Sequence, residues 1–222
     1  MRYIVLCYKL PISFDKFKIA SQYMFIQSIK SYNAQNNMYE LVESRISPTE
    51  LYTFARIHTS HYPSVIIRKL LPKGCETSEQ TSTVTWPVTR TVYFTPNRPS
   101  IGTSELMTSV HQEKLEGVPE YFEQYLNGNK YQLFDFDFSS GKSESCFVYK
   151  LAKFEVNIFG GSLIERIAIR TLKSVFKTTY VNLINAREQW ENLTEEDLPE
   201  IYKGDIVRAV TIEIEDIQEL GE

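Results

Sequence analysis

The sequence predicts an α+β domain with a mostly antiparallel sheet, and three observations lead to this prediction. Segments that alternate between apolar and polar residues, as half-buried strands do, recur along the chain. Two longer segments, 14–31 and 162–190, instead repeat apolar residues at helical spacing. These helices do not separate every pair of strands, which is typical of α+β proteins and not of alternating βαβ folds.

The first half of the chain is predicted to form a strand, a helix and then several strands. Residues 2–10 are rich in β-branched and aromatic side chains, and Pro11 ends that strand. Ser13 is placed to cap the helix that begins at Phe14. The later elements are strands at 38–46 and 50–58, a short amphipathic helix at 64–71, and strands at 84–95 and 103–110.

The second half begins with the clearest alternation in the chain, at residues 130–139. Gln132, Phe134, Phe136 and Phe138 share one face of this strand, and the opposite face carries Tyr131, Leu133, Asp135 and Asp137. Residues 117–129, just before it, are ambiguous, and a long strand is predicted at 145–159.

Two short polar patterns predict where the last helices begin. Ser162 and Glu165 match the capping box S-x-x-E, which predicts a helix from there to about Trp190. Thr194 and Asp197 are placed to cap a short final helix. Residues 205–217 alternate weakly and do not decide between strand and helix.

Length and charge limit the classes of function. The 222 residues suit one domain, 1–222, whose core can be large or can enclose a cavity. The net charge of -4 does not favour nucleic acid as a partner. The 14 Tyr, 13 Phe and 2 Trp are side chains that favour sheets and line apolar pockets.

The cysteines and the hydropathy predict a cytoplasmic protein without metal or cofactor. Cys7, Cys75 and Cys146 are far apart and form no disulfide or zinc pattern, so we expect reduced thiols. The N-terminal apolar run is too short for a signal peptide, and no apolar stretch approaches 18 residues. Any contact with a membrane is therefore expected to be peripheral and transient.

Catalytic motifs are not evident in the sequence, which favours a protein that is not an enzyme. Asp135 and Asp137 resemble paired carboxylates for acid–base chemistry, although a solvated strand face explains them better. His58 and His61 do not have the spacing of metal ligands on a strand. The apolar pair Ile158 and Phe159, before two glycines, is either a hydrophobic staple on the next helix or an exposed membrane probe.

Several segments, taken in order, resemble the phosphatidylinositol transfer proteins. The N-terminal "YKLPISFDKFKIASQYMFIQSIKS" resembles that family's opening strand and helix, and "YKLAKFEVNIFGGSLIERI" resembles its Y-K-L-V-x-V-K-F-x-W-W-G-L-Q segment. The stretch "QWENLTEEDLPEIY" resembles its W-x-D-L-T region, while "YPSVIIRKLLPKG" and "TWPVTRTVYFT" resemble other family segments. Together these segments cover most of residues 3–202.

The resemblance implies a shortened member of a lipid-transfer fold. In such a fold a curved, mostly antiparallel sheet and long helices enclose one phospholipid, which a monomeric carrier exchanges at a membrane surface. Phe134, Phe136 and Phe138 are then expected to line the cavity. Ile158 and Phe159 occupy the turn where the family carries two membrane-contacting tryptophans.

The resemblance also implies a set of headgroup-binding residues, although the family pattern is only partly kept. Thr53 matches the family threonine, and Gln22 lies in the segment that matches Q-L-Y. Ala55 occupies the position of the family lysine, and the neighbouring Arg56 points to the opposite face if the strand is regular. The family asparagine falls on Thr95, with Asn97 nearby, and the family glutamate falls on Tyr202, with Glu200 nearby.

Two other classes of function are compatible with the same cavity. One is a sensor or presentation module that holds a lipid or another apolar molecule without moving it between membranes. The other is an enzyme that uses Asp135 and Asp137, which requires both carboxylates to face the cavity.

Overall fold

The computed structural model describes residues 1–35, 39–46, 50–58, 73–139, 144–158 and 160–203. The helix predicted at 64–71, the undecided segment 205–217 and the side chains of Phe159 and Tyr202 lie outside the described part of the chain. No helix in that part is long and apolar enough to cross a membrane.

An open, curved sheet of eight strands confirms the predicted fold class. The strands follow the order β2-β3-β4-β5-β6-β8-β1-β7, and every pair is antiparallel except β1 with β7. Their bounds are β1 Arg2–Leu10, β2 Tyr39–Ile46, β3 Leu51–His58, β4 Thr77–Thr85, β5 Val88–Phe94, β6 Thr103–His111, β7 Gln132–Asp137 and β8 Cys146–Phe154.

Five α-helices accompany the sheet in the described residues. They are α1 Phe14–Gln35, α2 Glu120–Leu126, α3 Gly161–Asn185, α4 Arg187–Trp190 and α5 Leu198–Lys203, and a short 3₁₀ helix spans Pro99–Ile101. The ambiguous region at 117–129 thus contains α2. The long second helix predicted to end near Trp190 is confirmed, with a break between α3 and α4.

The prediction of one strand at 84–95 is wrong, because these residues belong to a hairpin. β4 ends at Thr85, the chain turns at Trp86 and Pro87, and β5 begins at Val88. Proline has no backbone N–H to donate, so it suits a turn better than the middle of a strand. The rest of β4 carries mostly Ser, Thr, Glu and Gln, which gives no apolar alternation, and pairing with β3 and β5 defines it as a strand.

The sheet is covered on both faces near its centre. Ile4, Leu6 and Tyr8 of β1 lie on the face that packs against α1 and α3, which we call the inner face. Val5 and Cys7 lie on the outer face, in the cluster that includes α2. All five residues are buried, so β1 is a continuous apolar run because it contributes to two cores.

The turn that leads into α3 depends on its two glycines. Gly160 has φ +77° and occupies the N-cap position, and a Cβ on Gly161 would lie 2.3 Å from the carbonyl oxygen of Val156. The predicted capping box is therefore wrong. Ser162 lies one residue inside the helix, and the buried Glu165 accepts a hydrogen bond from Arg2 at 3.1 Å.

Substitution of Gly161 by alanine is expected to destabilise the protein by about 1–3 kcal/mol, because the added methyl group overlaps fixed backbone. Gly117→Ala is the matched control, since no atom lies within 4 Å of its added Cβ. The free energies of unfolding are measured in denaturant. Equal values for the two variants would contradict the described turn.

Candidate functional site

A cavity of about 200 Å³ lies between the inner face of the sheet and the helices α1 and α3. Its walls are mostly apolar, with side chains from both helices and from β3 to β6. The apolar members are Phe17, Met24, Phe25, Leu51, Val84, Trp86, Pro87, Val110, Phe176, Tyr180 and Leu183. The uncharged polar members are Ser21, Gln22, Ser28, Thr89, Thr108 and Thr179.

Among the described residues that line this cavity, only Lys150 is charged. It sits in the middle of β8, opposite Thr108 of β6. Its Nζ donates a hydrogen bond to Thr108 Oγ1 at 2.9 Å and lies 4.2 Å from the centre of the Phe176 ring. Only 9% of the residue is exposed, and this burial lowers the pKa of the amine to about 7.

The surroundings of Lys150 do not neutralise its charge. A buried ammonium is normally paired with a carboxylate, because the loss of hydration is otherwise not offset. The described lining contains no Asp or Glu. The hydroxyl of Thr108 and the aromatic face of Phe176 offset only part of the lost hydration. The site is therefore suited to an anion, which would restore the charged form of the amine.

Buried hydroxyl groups continue along the inner face beside the cavity. Thr53 lies opposite Ser82, and Ser82 lies opposite Thr91. The Ser82 and Thr91 hydroxyls are 2.9 Å apart and share a hydrogen bond. Thr53 Oγ1 and Tyr8 Oη are buried without a partner among the described residues. A buried hydroxyl without a partner is unfavourable, so such groups indicate places where a bound molecule can donate or accept.

The predicted headgroup residues do not all lie together. Gln22 lines the cavity, and Thr53 is buried on the inner face beside Leu51, which also lines it. Arg56 lies on the other face, as regular alternation along β3 requires, where its guanidinium is 3.7 Å from Glu40 and 3.8 Å from Glu79. Its assignment to the headgroup site is therefore corrected.

The remaining members of the predicted headgroup set lie away from Lys150. Thr95 follows β5 and is 3.4 Å from Ser78 in a hydroxyl–hydroxyl hydrogen bond. Asn97 is exposed in the turn that leaves β5, and Glu200 is exposed on α5. None of these three residues lines the cavity.

The three phenylalanines of the β7 region face the inner side as predicted, but they do not line the cavity. Phe136 stacks on Tyr8 with ring centres 4.9 Å apart, and Phe138 lies 6.2 Å from the same ring. Lys173 Nζ lies 3.8 Å from the centre of the Phe134 ring. These side chains pack against the core at the β7 edge of the sheet, whereas the cavity lies over the strands from β8 to β3, on the other side of β1.

Asp135 and Asp137 are exposed on the outer face, as the interpretation of a solvated strand face predicts. Asp135 accepts a hydrogen bond from Lys114 at 3.2 Å, and Asp137 accepts two from Ser139. Neither carboxylate lines the cavity. An enzyme that uses this pair inside the cavity is therefore not supported.

The turn before α3 exposes apolar surface. Ile158 is half-buried, and Leu163 in the first turn of α3 is 48% exposed. The backbone N–H of Asn157 donates to the carbonyl of Ile101 at 2.6 Å, which fastens the turn to the 3₁₀ helix.

Sequence reasoning did not single out Lys150, although a signal was present. Every second residue of β8 points to the inner face, among them Cys146, Val148, Lys150 and Ala152. Lys150 thus lies among apolar residues on that face. A lysine in register with a buried apolar face is an informative exception to that alternation.

No protein-family model matches the sequence, and no curated protein matches it. A solved structure that aligns with the chain is that of TTHA0849 from Thermus thermophilus. The TM-score is 0.44 and the sequence identity 11%, and the alignment covers 83% of this chain and 98% of that chain. A similarity this low supports no conclusion about function.

The buried amine should make stability depend on pH in a defined direction. The pKa of Lys150 is about 7 in the folded protein and has the usual lysine value of 10.5 in the unfolded chain. Between these values the unfolded chain binds more protons, so folding becomes more favourable as pH rises. Relative to Lys150→Met, the wild-type free energy of unfolding should increase by about 1.4 kcal/mol per pH unit.

Denaturant unfolding of both proteins between about pH 7 and pH 9 measures this slope. Lys153→Met is the matched control, because Lys153 lies on the same strand but on the outer face, 4.0 Å from Glu155. A difference between wild type and Lys150→Met that does not change with pH would show that the amine is hydrated in the folded protein.

Proposed function

We propose that the protein is a phospholipid carrier that binds one lipid molecule in the inner-face cavity and exchanges it at membranes. The observation that carries the proposal is the pairing of one buried cation, Lys150, with an otherwise uncharged and mostly apolar cavity. An amphiphile with one anionic group and apolar chains complements both features. The resemblance to phosphatidylinositol transfer proteins supports the same assignment.

The polar groups near Lys150 suit a phosphodiester. A phosphate oxygen can accept a hydrogen bond from the Lys150 amine, either in place of Thr108 or together with it. Hydrogen bonds between charged groups are stronger than those between neutral groups. Gln22, which lines the same cavity, supplies both donors and an acceptor from α1. Thr53 lies on β3, four strand positions from Lys150, and does not line the cavity. The family carries a lysine at the position of Ala55. In this proposal Lys150, on a different strand, supplies that positive charge instead.

The volume of the cavity requires the carrier to open. Pockets for drug-sized molecules measure about 300–1,000 Å³, and this cavity measures about 200 Å³. The two acyl chains of a phospholipid hold roughly 30 CH₂ groups, and exposing them to water costs on the order of 20 kcal/mol. Separation of α1 and α3 from the sheet is therefore part of the proposed exchange, and a bilayer is where the chains can transfer without exposure.

The turn at Ile158 is the proposed membrane contact. In the sequence Ile158 and Phe159 come between the end of β8 and the beginning of α3, and Leu163 in the first turn of α3 is exposed. Aliphatic and phenyl side chains insert into a bilayer but lack the polar N–H with which an indole anchors at the headgroups. We therefore propose brief docking and transient membrane association.

A sensor or presentation module is the second candidate, because the cavity is small. This function needs the cavity and Lys150, but it needs neither the apolar turn at Ile158 nor reversible opening of the cavity. A protein that carries lipid yet does not move it between vesicles would favour this candidate over the carrier.

Native mass spectrometry of the protein purified from cells, with lipid extraction, tests the proposal. We expect one phospholipid per chain, with a headgroup that the extract identifies. Lys150→Met should retain about tenfold less of an anionic phospholipid, since a hydrogen bond to a charged group contributes about 1.5–3 kcal/mol. Lys153→Met should retain the wild-type amount. Wild-type protein that contains no phospholipid and takes none up from vesicles would refute the proposal.

The proposed contact between the turn at Ile158 and the membrane can be tested separately. Ile158→Ala/Phe159→Ala should lower vesicle binding and lipid transfer by at least about tenfold, because an apolar side chain contributes about 1.5–3 kcal/mol when it leaves water. Val181→Ala is the control, since Val181 is 37% exposed on α3 but lies about 27 Å from Leu163 along the helix. Unchanged transfer in the double variant would show that the pair is a staple on α3.

A further inference from the structure

The amine of Lys150 differs from an ordinary surface lysine in its chemistry as well as in its burial. Lys9 and Lys153 lie within 4.0 Å of the carboxylates of Asp137 and Glu155. Lys150 instead has a hydroxyl and aromatic rings around it. An amine in such surroundings favours its neutral form, which carries a free electron pair and is a nucleophile.

The titratable groups that face this part of the core are neutral near pH 7. Burial raises the pKa of Tyr8 and of Tyr180 above the usual tyrosine value, and it raises the pKa of the Cys146 thiol to about 12. The described side chains that helix α1 contributes to the cavity are all uncharged. No neighbour among the described residues therefore supplies a negative charge that would hold Lys150 in its protonated form, which agrees with its pKa of about 7.

The size of the cavity favours a small apolar ligand. An engineered cavity of about 150 Å³ in another protein holds benzene, and this cavity measures about 200 Å³. Phe17, Phe176 and Leu183 supply apolar walls, and Thr108 supplies a hydroxyl next to the amine. A molecule of roughly six to ten carbon atoms can be enclosed without the opening that a phospholipid requires.

We propose that Lys150 captures medium-chain apolar aldehydes in this cavity as reversible imines. The nitrogen electron pair attacks the carbonyl carbon, and a proton moves from nitrogen to the carbonyl oxygen to form a carbinolamine. The carbinolamine then loses its hydroxyl and the remaining nitrogen proton as water, which leaves a carbon–nitrogen double bond. Amine and aldehyde thus give imine and water, with no oxidant or reductant required.

This second binding activity does not rest on the phospholipid proposal. A bound phosphate keeps Lys150 protonated and occupies the cavity, so the two ligands exclude each other. Aldehyde capture is a property of the lipid-free form alone.

Reductive trapping with octanal and cyanoborohydride tests the proposal on the full chain at about pH 7. Native mass spectra separate lipid-free from lipid-bound protein, and peptide mapping identifies the modified lysines in the lipid-free form. Lys150 should react at least about tenfold faster than any other lysine, because an ordinary lysine is neutral in only about one molecule in a few thousand at this pH. The preference should shrink as pH rises from about 7 towards 10.5, because Lys150 is already largely neutral there while ordinary lysines gain their neutral form.

Two controls define the site. Lys150→Met should lose the fast modification, and Lys153→Met should keep it. Glycolaldehyde, a small polar aldehyde without charge, should prefer Lys150 much less than octanal does, since the cavity walls are mostly apolar.

The result that overturns the proposal is a lipid-free wild-type protein in which octanal modifies surface lysines and leaves Lys150 unmodified. Equal preference of octanal and glycolaldehyde for Lys150 would also overturn it, because the amine would then be reactive without apolar capture. Both of these results are measured on wild-type protein, so they remain decisive even if the Lys150→Met variant does not fold. Failure here leaves the phospholipid proposal intact, and absence of phospholipid leaves the labelling experiment unaffected.

Discussion

The pairing of β1 with β8 at the centre of the sheet is the constraint on which the rest of the structure depends. Both strands are buried along most of their length, on both faces. A strand that is apolar on both sides needs a covering layer on each. Helices α1 and α3 cover the inner face, and α2 covers the outer face. The parallel pairing of β7 with β1 extends this core to the sheet edge and places Phe136 against Tyr8.

The inner face of the sheet divides into two halves with different chemistry. Around β1 and β7 it is filled by apolar and aromatic side chains that pack on α3. From β8 towards β3 it carries Lys150, Thr108, Thr91, Ser82 and Thr53, all buried. Buried polar groups oppose folding unless they are paired. The apolar packing of the first half therefore offsets the cost of the buried polar groups in the second half.

Lys150 gives the cavity two chemical states that exclude each other. With an anion bound, the amine is an ammonium and acts through charge. Without an anion, burial favours the neutral amine, which acts through its electron pair. The protonation state of one side chain thus follows the content of the cavity, and the same residue serves the proposed carrier and the inferred capture of aldehydes by different means.

Local patterns in the sequence determined the elements whose side chains alternate or repeat clearly, namely β1, β3, β8, α1 and α3, because period and burial are set by neighbours along the chain. The alternation of β3 also determined that Thr53 and Arg56 lie on opposite faces. It did not reveal β4, because that mostly polar segment becomes a strand only through pairing with β3 and β5. The tertiary structure alone decided that Lys150 borders a cavity. Its strand position follows from the sequence, but the space above it exists because α1 and α3, distant in the chain, approach the sheet without filling it.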